Sequence, residues 1–135
     1  MPRDTTFTSL AVTGGITGDV TGDVTGNVVG QHRHSVQALT ETGAITINSG
    51  VVTLASDSAA IEATLDAPTA GDELFIVNTS ESGTEAHTVT LPDGVTWDGT
   101  NGVATLDAPG EALHVVAVSA TRFFVIANIG EVAFS

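Results

Sequence analysis

From Gly14 the chain reads Gly-Gly-Ile-Thr-Gly-Asp-Val-Thr-Gly-Asp-Val-Thr-Gly-Asn-Val-Val-Gly, a four-residue repeat. Glycine stands at 14, 18, 22, 26 and 30, and a β-branched residue at 16, 20, 24 and 28. So many glycines and β-branched residues weaken a helix severely. In an extended strand, residues two apart share a face. Ile16, Val20, Val24 and Val28 then line one side with glycine gaps between them, and Thr, Asp and Asn fill the other. A lone strand cannot bury such an apolar side. Three copies wound about an axis can, each valine filling the space left by a neighbour's glycine. These four residues are therefore the candidate trimer and anchoring contacts. The period alone does not fix the number of chains. A flexible Gly/Thr linker is the plain alternative, although a linker has no reason to keep Ile and Val in register.

The repeat runs into Gly30-Gln31-His32-Arg33-His34. His32 and His34 share a face of an extended strand. Two imidazoles from each of three chains would supply six nitrogens to an octahedral divalent metal on the three-fold axis, iron being one candidate. The competing reading makes them exposed polar residues of a hinge. This stretch resembles the Gly-x-His-x-His motif of phage long tail fibres, whose histidine pairs bind metal along a trimer axis. The motif occurs once here, whereas such fibres repeat it.

Residues 35–42 read as a connector, and 43–135 as short strands separated by turns. Segments 44–48 and 51–55 flank Ser49-Gly50, a two-residue hairpin signal. Further strands are expected at 59–65, Glu73–Asn78, 86–91, 95–98, 103–107, Ala112–Ser119 and Arg122–Ile129, with a last edge strand at 131–134. Many close-spaced strands and no amphipathic helical window predict an all-β fold: an extended arm (1–34), intertwined if trimeric, then a β-sandwich or jelly-roll module. The expected core is Leu74, Ile76, Leu91, Trp97, Leu106, Leu113, Val115, Val118, Phe124 and Ile126. A module of this length can hold a small core of its own.

Several phrases resemble a module common in structural proteins of tailed phages. They are Ala70-Gly71-Asp72-Glu73-Leu74-Phe75-Ile76-Val77-Asn78, Val89-Thr90-Leu91-Pro92 with Val95-Thr96-Trp97-Asp98-Gly99-Thr100, and Asp107-Ala108-Pro109-Gly110-Glu111-Ala112-Leu113. The Gly-Asp-Val-Thr-Gly repeat resembles phage virion proteins too, so the likeness spans most of the chain. Both patterns are compositionally simple. The resemblance implies a homotrimeric head fibre or capsid-decoration protein on the capsid surface of the virion. Its N-terminus would anchor it to the major capsid protein or another virion protein.

Charge narrows the partners. The chain carries 16 acids against three arginines, a formal net charge of −13. Residues 1–40 hold Arg3 and Arg33 against Asp4, Asp19 and Asp23, while 41–135 hold all the other acids against Arg122 alone. The nearly neutral arm is thus expected to make the protein contacts. With so few cations, neither nucleic acid nor an anionic membrane is an expected partner. No apolar run nears the roughly 20 residues of a spanning helix, and no signal-peptide pattern follows the N-terminus.

No constellation suggests catalysis. Glu111 and His114 lie at helical spacing, but on a strand they take opposite faces, and so do Asp72 and Glu73. His87 and His114 are expected at the surface or an interface. Asp98-Gly-Thr-Asn-Gly lacks the spacing and closing Glu of a calcium loop and reads as a turn. A non-enzymatic capsid decoration protein is the leading expectation, with a tail-fibre or spike component binding a host receptor as the alternative. A cellular adhesion module would fit the acidity but not the missing leader.

Overall fold

The computed structural model describes residues 13–14 and 33–135. Contacts divide the chain into Met1–Gln31 and His32–Ser135. Ile16, Val20, Val24, Val28 and His32, with the intertwined arm they imply, lie outside the described residues. Among those described there is no helix.

Ten strands follow one another: β1 (Val36–Leu39), β2 (Gly43–Ile45), β3 (Gly50–Leu54), β4 (Glu62–Leu65), β5 (Glu73–Asn78), β6 (His87–Thr90), β7 (Val103–Leu106), β8 (Ala112–Ser119), β9 (Arg122–Ile129) and β10 (Ala133–Phe134). They form two five-stranded sheets, ordered β1-β3-β5-β8-β9 and β10-β7-β6-β4-β2. From β1 to β6 the chain alternates between the sheets. Each strand lies parallel to the one two places earlier: Val36 pairs with Val51 and Val51 with Phe75 in the first sheet, Thr64 with Ala44 and with Thr90 in the second. Parallel neighbours need a long crossover. Here a strand of the opposite sheet supplies it, so this half of the module is a two-walled coil. The remaining strands close it with antiparallel pairs: β5 with β8, β8 with β9, β6 with β7, and β7 with β10.

The expected all-β module is present as two mixed sheets. The antiparallel pairing that a jelly roll requires holds for only half of the strand pairs. The bounds expected for β5, β8 and β9 are met. Three local expectations are not. Segment 35–42 contains β1, an edge strand rather than a bare connector. Segment 95–98 forms no strand, only a bridge in which Thr96 N–H donates to Thr121 O (3.0 Å) and Phe123 N–H to Thr96 O (2.9 Å).

The Ser49-Gly50 hairpin is also absent, because β2 and β3 belong to different sheets. Ile45 and Ile47 meet Val52 and Leu54 in the shared core instead of pairing beside them. The Gln37 side chain holds the incoming segment, donating to Ala44 O (2.9 Å) and accepting from Thr46 N–H (2.8 Å). Gly50 then turns the corner at φ 137°.

One core lies between the sheets. Val52, Leu54, Leu74, Ile76, Leu113 and Val115 fill it from the first sheet; Ala63, Leu65, Val89, Ala104 and Leu106 fill it from the second. Each large side chain withdrawn from water here contributes about 2 kcal/mol. Trp97 stacks on Phe123 with ring centroids 5.1 Å apart, and its indole N–H reaches Val89 O at 3.4 Å. Three expected core residues are instead exposed: Val118, Phe124 and Ile126. In β9 it is Phe123 that points inward. The β8–β9 register shifts between His114 and Val115 and between Ala117 and Ser119. Counting alternate residues across such bulges gives the wrong face.

A Cβ on Gly50 would lie 2.3 Å from Ser35 O, whereas one on Gly71 (φ 98°) meets nothing within 4 Å. Gly50→Ala is therefore expected to lower the unfolding free energy by about 3 kcal/mol, and Gly71→Ala by about 1 kcal/mol. Urea denaturation of the two variants measures both. Equal losses would show that the Ser35 contact does not set the corner.

Candidate functional site

The most buried titratable group is His87, on β6. Its inward direction follows from strand parity with Val89 and Leu91, a signal that was available in the sequence; the surface or interface position expected for it is corrected. Its Nδ1 accepts from Ile61 N–H at 3.0 Å. The neutral ring must then carry its proton on Nε2, which donates to Ser80 Oγ at 3.0 Å. The Ser80 hydroxyl donates in turn to Ser56 O (3.1 Å) and accepts from Ser56 N–H (3.1 Å).

A serine and a histidine in contact invite comparison with a hydrolase pair. A general base, however, must accept the hydroxyl proton at that nitrogen, and Ile61 fixes the opposite tautomer. The trio ties the loop after β3 to the loop after β5. Burial lowers the His87 pKa from its ordinary value, against the opposing pull of Glu85 and Asp57.

Two acids outside the strands, Glu111 and Asp98, act as local caps. Glu111 is buried, and its Oε2 accepts from Asp107 N–H (2.6 Å) and Ala108 N–H (3.1 Å). Asp98 accepts from Thr100 N–H and Asn101 N–H and from the Asn101 amide, which lowers its pKa and makes this loop the expected turn. As expected from an extended backbone, Glu111 and His114 diverge: one is buried, the other lies opposite outward-facing Phe75. No pocket opens among the described residues. Nor do three or more His, Cys, Asp or Glu side chains gather there as a metal-binding group.

The unusual surface is the outer face of the first sheet. The inward residues of β3, β5 and β8 already form core, so ordinary alternation would make the outward residues polar. The second sheet obeys this: its outward rows read Ala44, Thr64, Thr90, Val103 and Glu62, Thr88, Thr105, Ala133. The first sheet does not. Its outward rows read Val36, Val51, Phe75, His114, Ala127, then Ala38, Thr53, Val77, Ala112, Ile129, then Glu73, Val116, Phe124. Val36, Val118, Phe124, Ile126 and Ile129 keep between 50% and 66% of their surface exposed.

A small polar cluster is embedded in this face. His114 Nε2 lies 2.6 Å from Glu73 Oε1. The His114 ring stacks on Phe75 at 4.1 Å with an interplanar angle of 12°. His34, from the sequence-predicted histidine pair, reaches the other neighbour of this stack, its ring 5.8 Å from Phe75 and tilted by 60°. The structure thus places His34 beside the apolar face. Sequence reasoning missed that face, because its rows assemble from strands far apart in the chain.

A histidine whose folded pKa is lowered binds its proton first in the unfolded chain. Its contribution to stability is present above the ordinary value of 6.5 and is lost as pH falls below it. Thermal unfolding between about pH 8 and about pH 5 is expected to show that decline. His87→Asn, which keeps an acceptor for Ile61 N–H but cannot titrate, should flatten it; an unaltered slope would rule His87 out as its source. Ser80→Ala leaves the ring N–H unpaired and is expected to cost about 1–3 kcal/mol at neutral pH.

A scan against protein-family models finds no match to this chain, and a search of curated proteins finds none either.

Proposed function

We propose that this chain is a non-enzymatic virion structural protein: a homotrimeric capsid-decoration or head-fibre protein anchored to the shell through residues 1–34. The observation that carries the proposal is a sheet apolar on both sides within a chain of net charge −13. Such a surface suits permanent contact with protein. The Ile/Val–Gly repeat before it has the same need, since its apolar side is incomplete in one copy. The phrases resembling tailed-phage structural proteins point the same way, and the acidic exterior suits a module that projects into solvent. Its partners would be two further copies and the major capsid protein or another shell protein.

The Gly-x-His-x-His stretch favours a second reading, a tail-fibre or spike component that binds a host receptor. Immunogold labelling of intact particles separates the two by placing the chain on the shell or on the tail.

Deleting residues 2–30 is expected to weaken capsid association by about 100-fold or more, since three arms act together by avidity, while the module keeps its β circular-dichroism signal. Undiminished binding of the truncated chain to particles would overturn the anchoring role of the arm.

A further inference from the structure

We infer that the outer face of the first sheet is covered in solution by the same face of further copies of this chain. The inference rests on the reading of self-association above and deepens it, because it puts contact on the module as well as on the arm.

The occupant follows from charge. Among the acids of 41–135, only Glu73 lies in a strand of the first sheet, and it is satisfied within its own chain by His114 at 2.6 Å. The second sheet carries Glu62 on its outer face, and every other acid of 41–135 lies outside the strands, in the loops and turns. Of the two outer sheet faces among the described residues, the first is the one whose single acid is already paired within its own chain. Copies can therefore approach through it without setting unpaired like charges together. A partner of opposite charge would be drawn to the acidic surfaces instead.

The dimensions come near to what a specific contact needs. Five strands about 4.8 Å apart and up to eight residues long make a face on the order of 600 Å² in plan. One partner's share of a specific interface is roughly 800 Å². The face alone falls somewhat short, and contacts along the arm would add to it. Continuity supplies the remaining argument. The chain enters the module at His34, whose ring lies against Phe75 on this face, and β1 follows at the edge of the same sheet. Copies held together by their arms would hold these faces near one another. Val, Ile and Phe at the outward positions are residue types that interdigitate when two sheets pack face to face.

The test uses the full chain and reads its mass in solution by analytical ultracentrifugation. Wild type is expected to be multimeric at micromolar concentration. Phe124→Asp and Ile129→Asp each place a charge on the face and should raise the dissociation constant by about 10-fold or more. Thr90→Asp, on the outer face of the second sheet, should leave it unchanged. The chain contains no cysteine, so Val118→Cys and Thr90→Cys report accessibility directly. In the multimer the thiol at 118 should alkylate about 10-fold more slowly than the one at 90.

A single-chain wild type overturns the inference, and so do equal alkylation rates in the multimer. The alkylation comparison decides the matter even if an aspartate variant fails to fold. If assembly survives Phe124→Asp and Ile129→Asp but not deletion of residues 2–30, the arm alone holds the copies together; the inference then fails and the proposed function stands. If the aspartates dissociate the chain yet no label is found on particles, the virion reading fails and the interface stands.

Discussion

Each wall of the module is held in place by the other. The strands from β1 to β6 pass alternately from one sheet to the other, and every crossing commits one side of the strand to the single core between them. That commitment fixes which residues are left outside. Val52, Leu74 and Val115 cannot face inward without turning Val51, Phe75 and His114 outward. The outer face of the first sheet is therefore a direct product of how the core is filled. The buried polar groups conform to the same constraint. Among the described residues no buried side-chain polar atom lacks a hydrogen-bond partner. His87 and Glu111 reach that state by serving backbone amides at the ends of strands.

The two outer faces differ because their sequences differ at alternate positions. Threonine dominates the outward positions of the second sheet, and water can satisfy its hydroxyls. Valine, isoleucine and phenylalanine dominate those of the first. In an isolated chain this second apolar layer gains nothing from burial. Glu73, the one acid in its strands, is already hydrogen-bonded to His114 within the same chain. The acidic loops around the module favour solubility and oppose indiscriminate contact.

Much of the strand content was legible in the sequence, whereas the architecture was not. Glu73–Asn78, Ala112–Ser119 and Arg122–Ile129 stand out as apolar runs bounded by turn residues. Which sheet a strand joins depends on partners remote in the chain, and for that reason Ser49-Gly50 gave a false hairpin signal. The inward side of β9 was ambiguous because Phe123 and Phe124 are adjacent and the following residues are apolar at both parities; packing and the bulges decide it. Parity with Val89 and Leu91 could have revealed His87. Its tautomer could not have been read, since that depends on the amide of Ile61. The candidate site drew least from sequence: the Phe75–His114 stack joins strands whose pairing no local pattern announces.

The two-walled coil also bears on how the module comes apart. In a long repeat array each unit rests on its neighbours, and the ends can fray one unit at a time. Here β3 without β4 has no opposite wall, and neither β5 nor β6 has a sealed core until β7 and β8 close the antiparallel side. No intermediate turn is self-sufficient. The module is thus built to unfold as one cooperative unit, and its distant strand pairings place it among the slower-folding small domains.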